Sequence, residues 1–512
     1  MSKNLLLFNA SSGTILYFLS VVVTFLLTPI VVNNLGRFDY GLWEMLVSIV
    51  GYMGILDLGI GPALLRNVAL SHAKNDSHEL QKTFSTALIF FCLVSLISFF
   101  IYTFLFLFPE LLFGNEQNDL SRLRIVIIMF SINTCIVFPT NVYVGTLFGF
   151  QQHFYVNITR GILLILNGIF TYFLLKFNYA DGLLVLASLQ FFSSVIQFIV
   201  YAYLIKKNNL SIFVSFNYFS FKMLRELFLY GVKSSILMIS SRLQFATMPF
   251  IIAKAASVDS IIFYSIPCRL IDYARGFSLA VGFPLTPHFT SLIGKNDRNA
   301  LIGSWLESAL FLQIITGSMV IFLYFCGDLF LKLWIGNDYL ITGSGVVTAL
   351  LVGMLFQAFS PNSLQMLLAS SQHGKVALLH LIFALFSIPL AYFSTLYYGV
   401  IGSAFSNSFV TSILSVITLT AACSFLNISF FTYIRKTVAP LLFPLIGLAL
   451  SLRIFNYFFI YSNYFDLIIN IFIGWFVYCF LIWNFVLSIS IRTNIKNYIF
   501  KFLKNNIISK GR

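Results

Sequence analysis

Apart from Lys254 and Asp259 at its central turn, the stretch from Lys233 to Arg275 sets four cations in apolar sequence, Lys233, Arg242, Arg269 and Arg275, with one acid, Asp272, among them. A cation at the centre of a membrane helix costs about 2.5–3.5 kcal/mol on insertion scales, so such residues normally face a protein interior or a water-filled cavity. Guanidinium groups offer paired donors to phosphate or carboxylate oxygens. Part of the charge has a structural explanation. Arg275 stands one helical turn after Asp272 and Arg269 one turn before it, and side chains at that spacing are neighbours. One carboxylate cannot neutralise both arginines. Lys233 lies near the cytoplasmic end of its helix, where it either snorkels to the interface or faces the cavity. Arg242 has no acid within a turn. A positive excess remains, so Arg242, Arg269, Arg275 and Lys233 are the expected wall of a chamber for an anionic substrate.

These residues need two helices with a short turn between them, over about 226–253 and 258–285. The rest of the chain is of the same kind. Of 512 residues, 59% are hydrophobic and 9% charged, against about 25% charged in a soluble domain. Apolar runs of about 20 residues recur along the chain, enough for about fourteen membrane-spanning α-helices and without the alternation of a membrane barrel. The first is expected at 11–33 and the second at 41–64. The fold class expected is therefore all-α integral membrane.

The net charge of +14 does not mark a nucleic-acid binder, because the cations sit in short loops and in the C-terminal tail. With the N-terminus inside, twenty loop and tail cations fall on the cytoplasmic side and seven on the other. Both termini are thus expected in the cytoplasm. The six cysteines are scattered without a CxxC pair, so neither a disulfide framework nor a metal site is expected. Gly294-Lys295 and Gly374-Lys375 lack the remainder of a phosphate-binding loop, which excludes ATP as the direct energy source. No catalytic constellation is present, and neither an enzymatic role nor a cofactor is expected.

A weak repeat runs at an offset of 220 residues: Leu7-Phe8 with Leu227-Phe228, Pro29 with Pro249, Asp39 with Asp259, Gln152-His153 with Gln372-His373, and Gly182 with Gly402. It implies two six-helix lobes, 1–206 and 226–425, joined by a cytoplasmic linker, 207–225. Two further helices follow at 426–491, then a basic cytoplasmic tail, 492–512. An even number of helices per lobe makes the lobes parallel repeats, and substrate sites in such proteins lie between the repeats near the midplane. Pro29 and Pro249 hold equivalent places in the first helix of each lobe and are expected to bend it as gates. Asp57 and Glu307, like Asp272, are acids in or beside membrane helices, with two roles open to them: bonding a helix end or coupling an ion.

The segment Leu35-Gly36-Arg37-Phe38-Asp39-Tyr40-Gly41-Leu42-Trp43, followed by Gly51-Tyr52 and Leu56-Asp57-Leu58-Gly59, resembles the start of polysaccharide exporters of the multidrug/oligosaccharidyl-lipid/polysaccharide flippase superfamily, and of Wzx-type O-antigen flippases in particular. Gly149-Phe150-Gln151, Leu333-Trp334-Ile335-Gly336 and Gly399-Val400-Ile401-Gly402 agree with it. The resemblance implies a MATE-like, V-shaped pair of lobes working by alternating access in the bacterial cytoplasmic membrane. It implies a cargo of undecaprenyl-pyrophosphate-linked oligosaccharide, for O-antigen, capsule or exopolysaccharide, and polysaccharide polymerase or assembly proteins as partners besides membrane lipid. The alternatives are a lipid II flippase or a cation-coupled multidrug antiporter of the same fold. An excess of cations in the chamber argues against the antiporter.

Overall fold

The computed structural model describes residues 3–110, 120–177, 181–207, 215–282, 285–458, 463–487 and 492–493. Among them every regular element is helical. The expected basic tail lies almost wholly outside the described residues, as do 208–214 of the linker and the side chain of Lys233. Eleven helices are long and apolar enough to cross a membrane. Two of these fold back on themselves at a glycine and cross twice. A further helix, Ile261–Gly282, is long enough but carries Arg269, Asp272 and Arg275. The chain is thus an all-α multi-pass membrane protein with about fourteen crossings.

By their contacts the residues form two units. The first comprises 1–266 and 374–410. Its helices are α1 (Lys3–Met53), α2 (Ile60–Ala73), α3 (Ser77–Leu107), α4 (Leu120–Gly149), α5 (His153–Lys176), α6 (Gly182–Lys207), α7 (Phe221–Ala246), α8 (Met248–Ala255), the start of α9 (Ile261–Gly282), and the first part of a long helix, Gly374–Leu426. α1 turns back at Gly36 (φ 76°). Its first arm runs parallel to α5, with Gly161 on Leu16 and Leu19 and Gly168 on Val23 and Leu27. Its second arm leads into α2, where Leu64 and Val68 meet Gly145 and Gly149 of α4. Small residues at these crossings let membrane helices approach closely, which is how they gain packing energy in lipid.

The stretch expected as one helix over 41–64 is broken. A single 3-10 turn, Gly54–Asp57, is followed by Leu58 (φ 50°) and Gly59 (φ 71°), both left-handed, before α2 begins. The long helix Gly374–Leu426 reverses at Gly399 (φ 62°). The Thr395 and Ser403 hydroxyls lie 2.5 Å apart, whereas eight residues of straight helix span about 12 Å.

The second unit comprises 267–373 and 411–512. It holds the rest of α9, then α10 (Leu285–Gly294), α11 (Arg298–Trp334), α12 (Leu340–Gln357), α13 (Ser360–Ala369), the remainder of Gly374–Leu426 (α14), α15 (Phe430–Thr437), α16 (Ala439–Phe458) and α17 (Tyr464–Leu481). α16 and α17 pack on each other and on α11 around Cys326, Leu441, Leu448, Leu452, Leu467 and Tyr478. Polar bonds fasten them. Asn456 donates to the Phe325 carbonyl (3.2 Å), Asn470 to Asn456 (2.7 Å), Tyr478 to the Ile314 carbonyl (3.0 Å) and Tyr464 to the Leu333 carbonyl (2.7 Å).

Two left-handed turns recur about 220 residues apart. The left-handed residues Gln151 and Ser371 stand 220 apart, and Asn75 and Asn296 stand 221 apart. After each asparagine an aspartate, Asp76 or Asp297, caps the next helix by accepting from the N–H three residues on.

Candidate functional site

In the first unit the second arm of α1 runs antiparallel to α7 and α8. Gly41 meets Val258, Gly51 meets Ala246 and Arg242, and Gly59 meets Ser235 and Gly231. The helix break makes the last contact possible. A Cβ on Gly59 would lie 2.2 Å from the Ser235 hydroxyl and 2.5 Å from the Gly231 carbonyl oxygen. A Cβ on Gly231 would lie 2.6 Å from the Leu58 carbonyl oxygen. Two backbones therefore touch where α7 crosses the break, and only glycine fits on either side. Gly59 also needs its left-handed φ, a conformation costing other residues about 1–2 kcal/mol. Asp57 closes the break: its Oδ1 accepts from the Gly61 N–H at 3.3 Å, in the first turn of α2. Of the two roles open to Asp57, the geometry displays the bond to a helix end.

Arg242 projects from α7 within a membrane span, Ser235–Ala255. It is exposed and makes no hydrogen bond or ion pair with another described residue. Its Nη1 lies 3.6 Å from where a Cβ on Gly51 would stand, so the absent side chain leaves room for the guanidinium. One helical turn further, Tyr52 and Thr247 share a hydrogen bond between their hydroxyls, and the Tyr52 ring lies 6.3 Å from Phe250. α7 is held from its other side by a buried chain of polar groups. Gln244 donates to the Asn407 side-chain oxygen (2.8 Å), and the Asn407 amide donates to the Tyr264 hydroxyl (2.9 Å). The wall carrying Arg242 is thus fixed at both of its flanks. Lys233 lies on α7 between Gly231 and Ser235.

Pro249 stands in the first turn of α8, where α7 gives way at Thr247. Pro29 lies within a continuous helical stretch of α1, whose only non-helical residue is Gly36.

In the second unit Arg275 pairs with Asp272 at 3.2 Å; the Arg275 side chain is 21% exposed and that of Asp272 60%. Arg269 is half-buried on the same helix and acts on the same carboxylate. One acid thus stands between two arginines. Glu307 is exposed on α11. Among the described residues no group of three or more histidines, cysteines or acids is placed to hold a metal ion.

One feature escaped sequence reasoning. Arg122, at the start of α4, grips Asp39 with both terminal nitrogens (3.1 and 2.6 Å), while its Nε lies 2.5 Å from Asp181. Asp181 in turn caps α6, accepting from the Leu183 and Leu184 N–H groups. The clamp ties the turn of α1 to the starts of α4 and α6. The only signal in the sequence was that all three charges fall at ends of apolar runs.

Comparison with known proteins adds the following. The family model described as "Polysaccharide biosynthesis protein" matches residues 6–292. A Shigella flexneri protein named "Putative O-antigen transporter" is 25% identical over 388 residues, covering 73% of this chain and 87% of its own. Among solved structures, a lipid II flippase, MurJ, in an inward closed conformation, matches with a TM-score of 0.70 at 18% identity, over 93% of this chain and 98% of that one. An inward-facing multidrug resistance transporter of the MATE family and MOP superfamily matches with a TM-score of 0.63 at 14% identity, over 80% and 94%. These two likenesses are of fold.

Proposed function

The chain belongs to the polysaccharide biosynthesis protein family, and from that premise we propose that it is a flippase for polyprenyl-pyrophosphate-linked oligosaccharide. It carries repeat units of O-antigen, capsule or exopolysaccharide across the bacterial cytoplasmic membrane by alternating access. The observation that carries this reading is Arg242: an exposed arginine in a membrane span, without a partner among the described residues, on a wall fixed from both sides. An exposed arginine without a partner in a membrane span favours a dianionic head group, which it can engage with two parallel donors.

Each helix stretch has its part in the proposal. The moving halves are the six-helix lobes 1–206 and 226–425, whose recurring left-handed turns support a common ancestry. Arg242, Lys233, Arg269 and Arg275 are the residues proposed to take the pyrophosphate. The sugar stays in water there, and the polyprenyl tail stays in lipid. Both termini lie in the cytoplasm. Transport proceeds without covalent chemistry on the cargo, and the partners downstream are polymerase or assembly proteins that consume the flipped unit.

The test is genetic and chemical together. A strain lacking the gene should accumulate lipid-linked repeat units in the inner leaflet and lose the surface polymer. The intact gene should restore it. Accumulation of a lipid-linked peptidoglycan precursor instead, with surface polymer unchanged, would overturn the assignment of cargo.

A further inference from the structure

The eight-residue helix α15 lies between two long spans, and the proposed transport cycle gives it no role. It is a built element. Ser429 caps it, accepting from the Thr432 N–H at 3.1 Å. Tyr433 is fully buried and its hydroxyl accepts from Gln313 of α11 at 2.9 Å. The Tyr433 ring lies 4.9 Å from that of Trp305, and Thr437, one turn on, is also buried. This face fixes the rotation of the helix about its own axis.

The opposite face follows from that rotation. Phe431 stands two residues before Tyr433 and Arg435 two after it, so each projects about 200° around the helix from the buried tyrosine. Phe431 is 82% exposed, and Arg435 and Lys436 are exposed. Neither cation pairs with another described residue. The helix that follows, α16, shows lipid-facing side chains from its first turn, with Leu442, Phe443 and Ile446 all more than half exposed. α15 therefore sits where the chain enters the membrane, and presents Phe431 and Arg435 on one rigid face, with Lys436 exposed about 100° further round the helix from Arg435. A large apolar side chain beside cations is the pattern of a helix lying in the membrane interface.

We propose that α15 is a docking surface for anionic phospholipid head groups of the leaflet it enters. Arg435 and Lys436 take the phosphates, and Phe431 inserts among the first methylenes of the acyl chains. Because α15 is bonded to α11 through Tyr433 and Gln313, lipid held there anchors α11 as well as its own helix. This does not depend on what the protein transports.

The test uses the full chain, purified and reconstituted in nanodiscs of phosphatidylcholine with and without phosphatidylglycerol. Each basic residue near an anionic surface contributes about fivefold in affinity. Arg435→Gln with Lys436→Gln should therefore weaken retention of phosphatidylglycerol roughly 25-fold, read by lipid counting after delipidation. It should also abolish most of the rise in unfolding temperature that phosphatidylglycerol gives the unaltered protein. The swap Arg435→Lys with Lys436→Arg should keep both effects, which separates lost charge from lost folding. High salt should reduce them. Lys74→Gln with Lys206→Gln, exposed cations elsewhere on the chain, should leave them unchanged. Undiminished retention in the Arg435/Lys436 Gln variant, or equal loss in the Lys74/Lys206 control, would overturn the proposal.

Discussion

Arg242 and Gly51 are matched: the guanidinium of one lies 3.6 Å from the Cβ that the other lacks. That distance is ordinary contact, so a methyl group fits and a longer side chain does not. Gly51→Ala should keep most transport, whereas Gly51→Leu should displace the guanidinium and lower surface polymer about tenfold or more, as loss of a bond to a charged group does. Quantified polymer at equal protein level is the check; full activity of Gly51→Leu would show that the position of Arg242 is unimportant.

The crossing of Gly59 and Gly231 leaves less room. Gly59→Ala combines a left-handed conformation with a 2.2 Å approach to Ser235, so it should cost about 1–3 kcal/mol. Gly231→Ala, facing backbone at 2.6 Å, should cost as much. Both should lower the unfolding temperature in detergent by several degrees. Gly54→Ala, with nothing within 4 Å of its added carbon, is the control and should leave it unchanged.

The Arg122 clamp should matter for stability rather than for cargo. Arg122→Met leaves two carboxylates facing each other in a partly buried place, at a cost of about 1–3 kcal/mol. Asp39→Asn keeps one pair and should cost less. Unfolding temperatures rank the three proteins; equality of all three would mean that the clamp is loose in the membrane.

Topology follows from the loop charges. Reporters fused after Asn75 and after Arg512 should both report cytoplasm. An external signal from the second would mean an odd number of crossings.

Much of this fold was legible because a membrane helix must satisfy its own backbone over about 20 apolar residues. Even α9, with three charges, read as a span because the apolar residues around them keep its length. The break at Leu56-Asp57-Leu58-Gly59 was not legible, since the apolar run continues through it and hydropathy carries no record of φ. It is fixed instead by Gly231, far along the chain. The same holds for the Arg122 clamp, whose partners stand 83 residues before it and 59 after it in the chain. Of the candidate site, the pairing of Arg275 with Asp272 was legible from spacing on one helix. The open space at Gly51 that receives Arg242 required the fold.

Arg242 and Arg269 are each proposed to take the anionic head group, and one complementation experiment tests this most directly. Arg242→Gln and Arg269→Gln are made singly and together in a strain lacking the gene, with protein level measured in parallel. The single variants should insert and accumulate normally, yet lower surface polymer about tenfold or more, as the loss of bonds to a charged group predicts. The double variant should abolish the polymer, and lysine at either place should restore it in part, since it keeps the charge without the planar fork. Full surface polymer from the double glutamine variant, at normal protein level, would contradict the account.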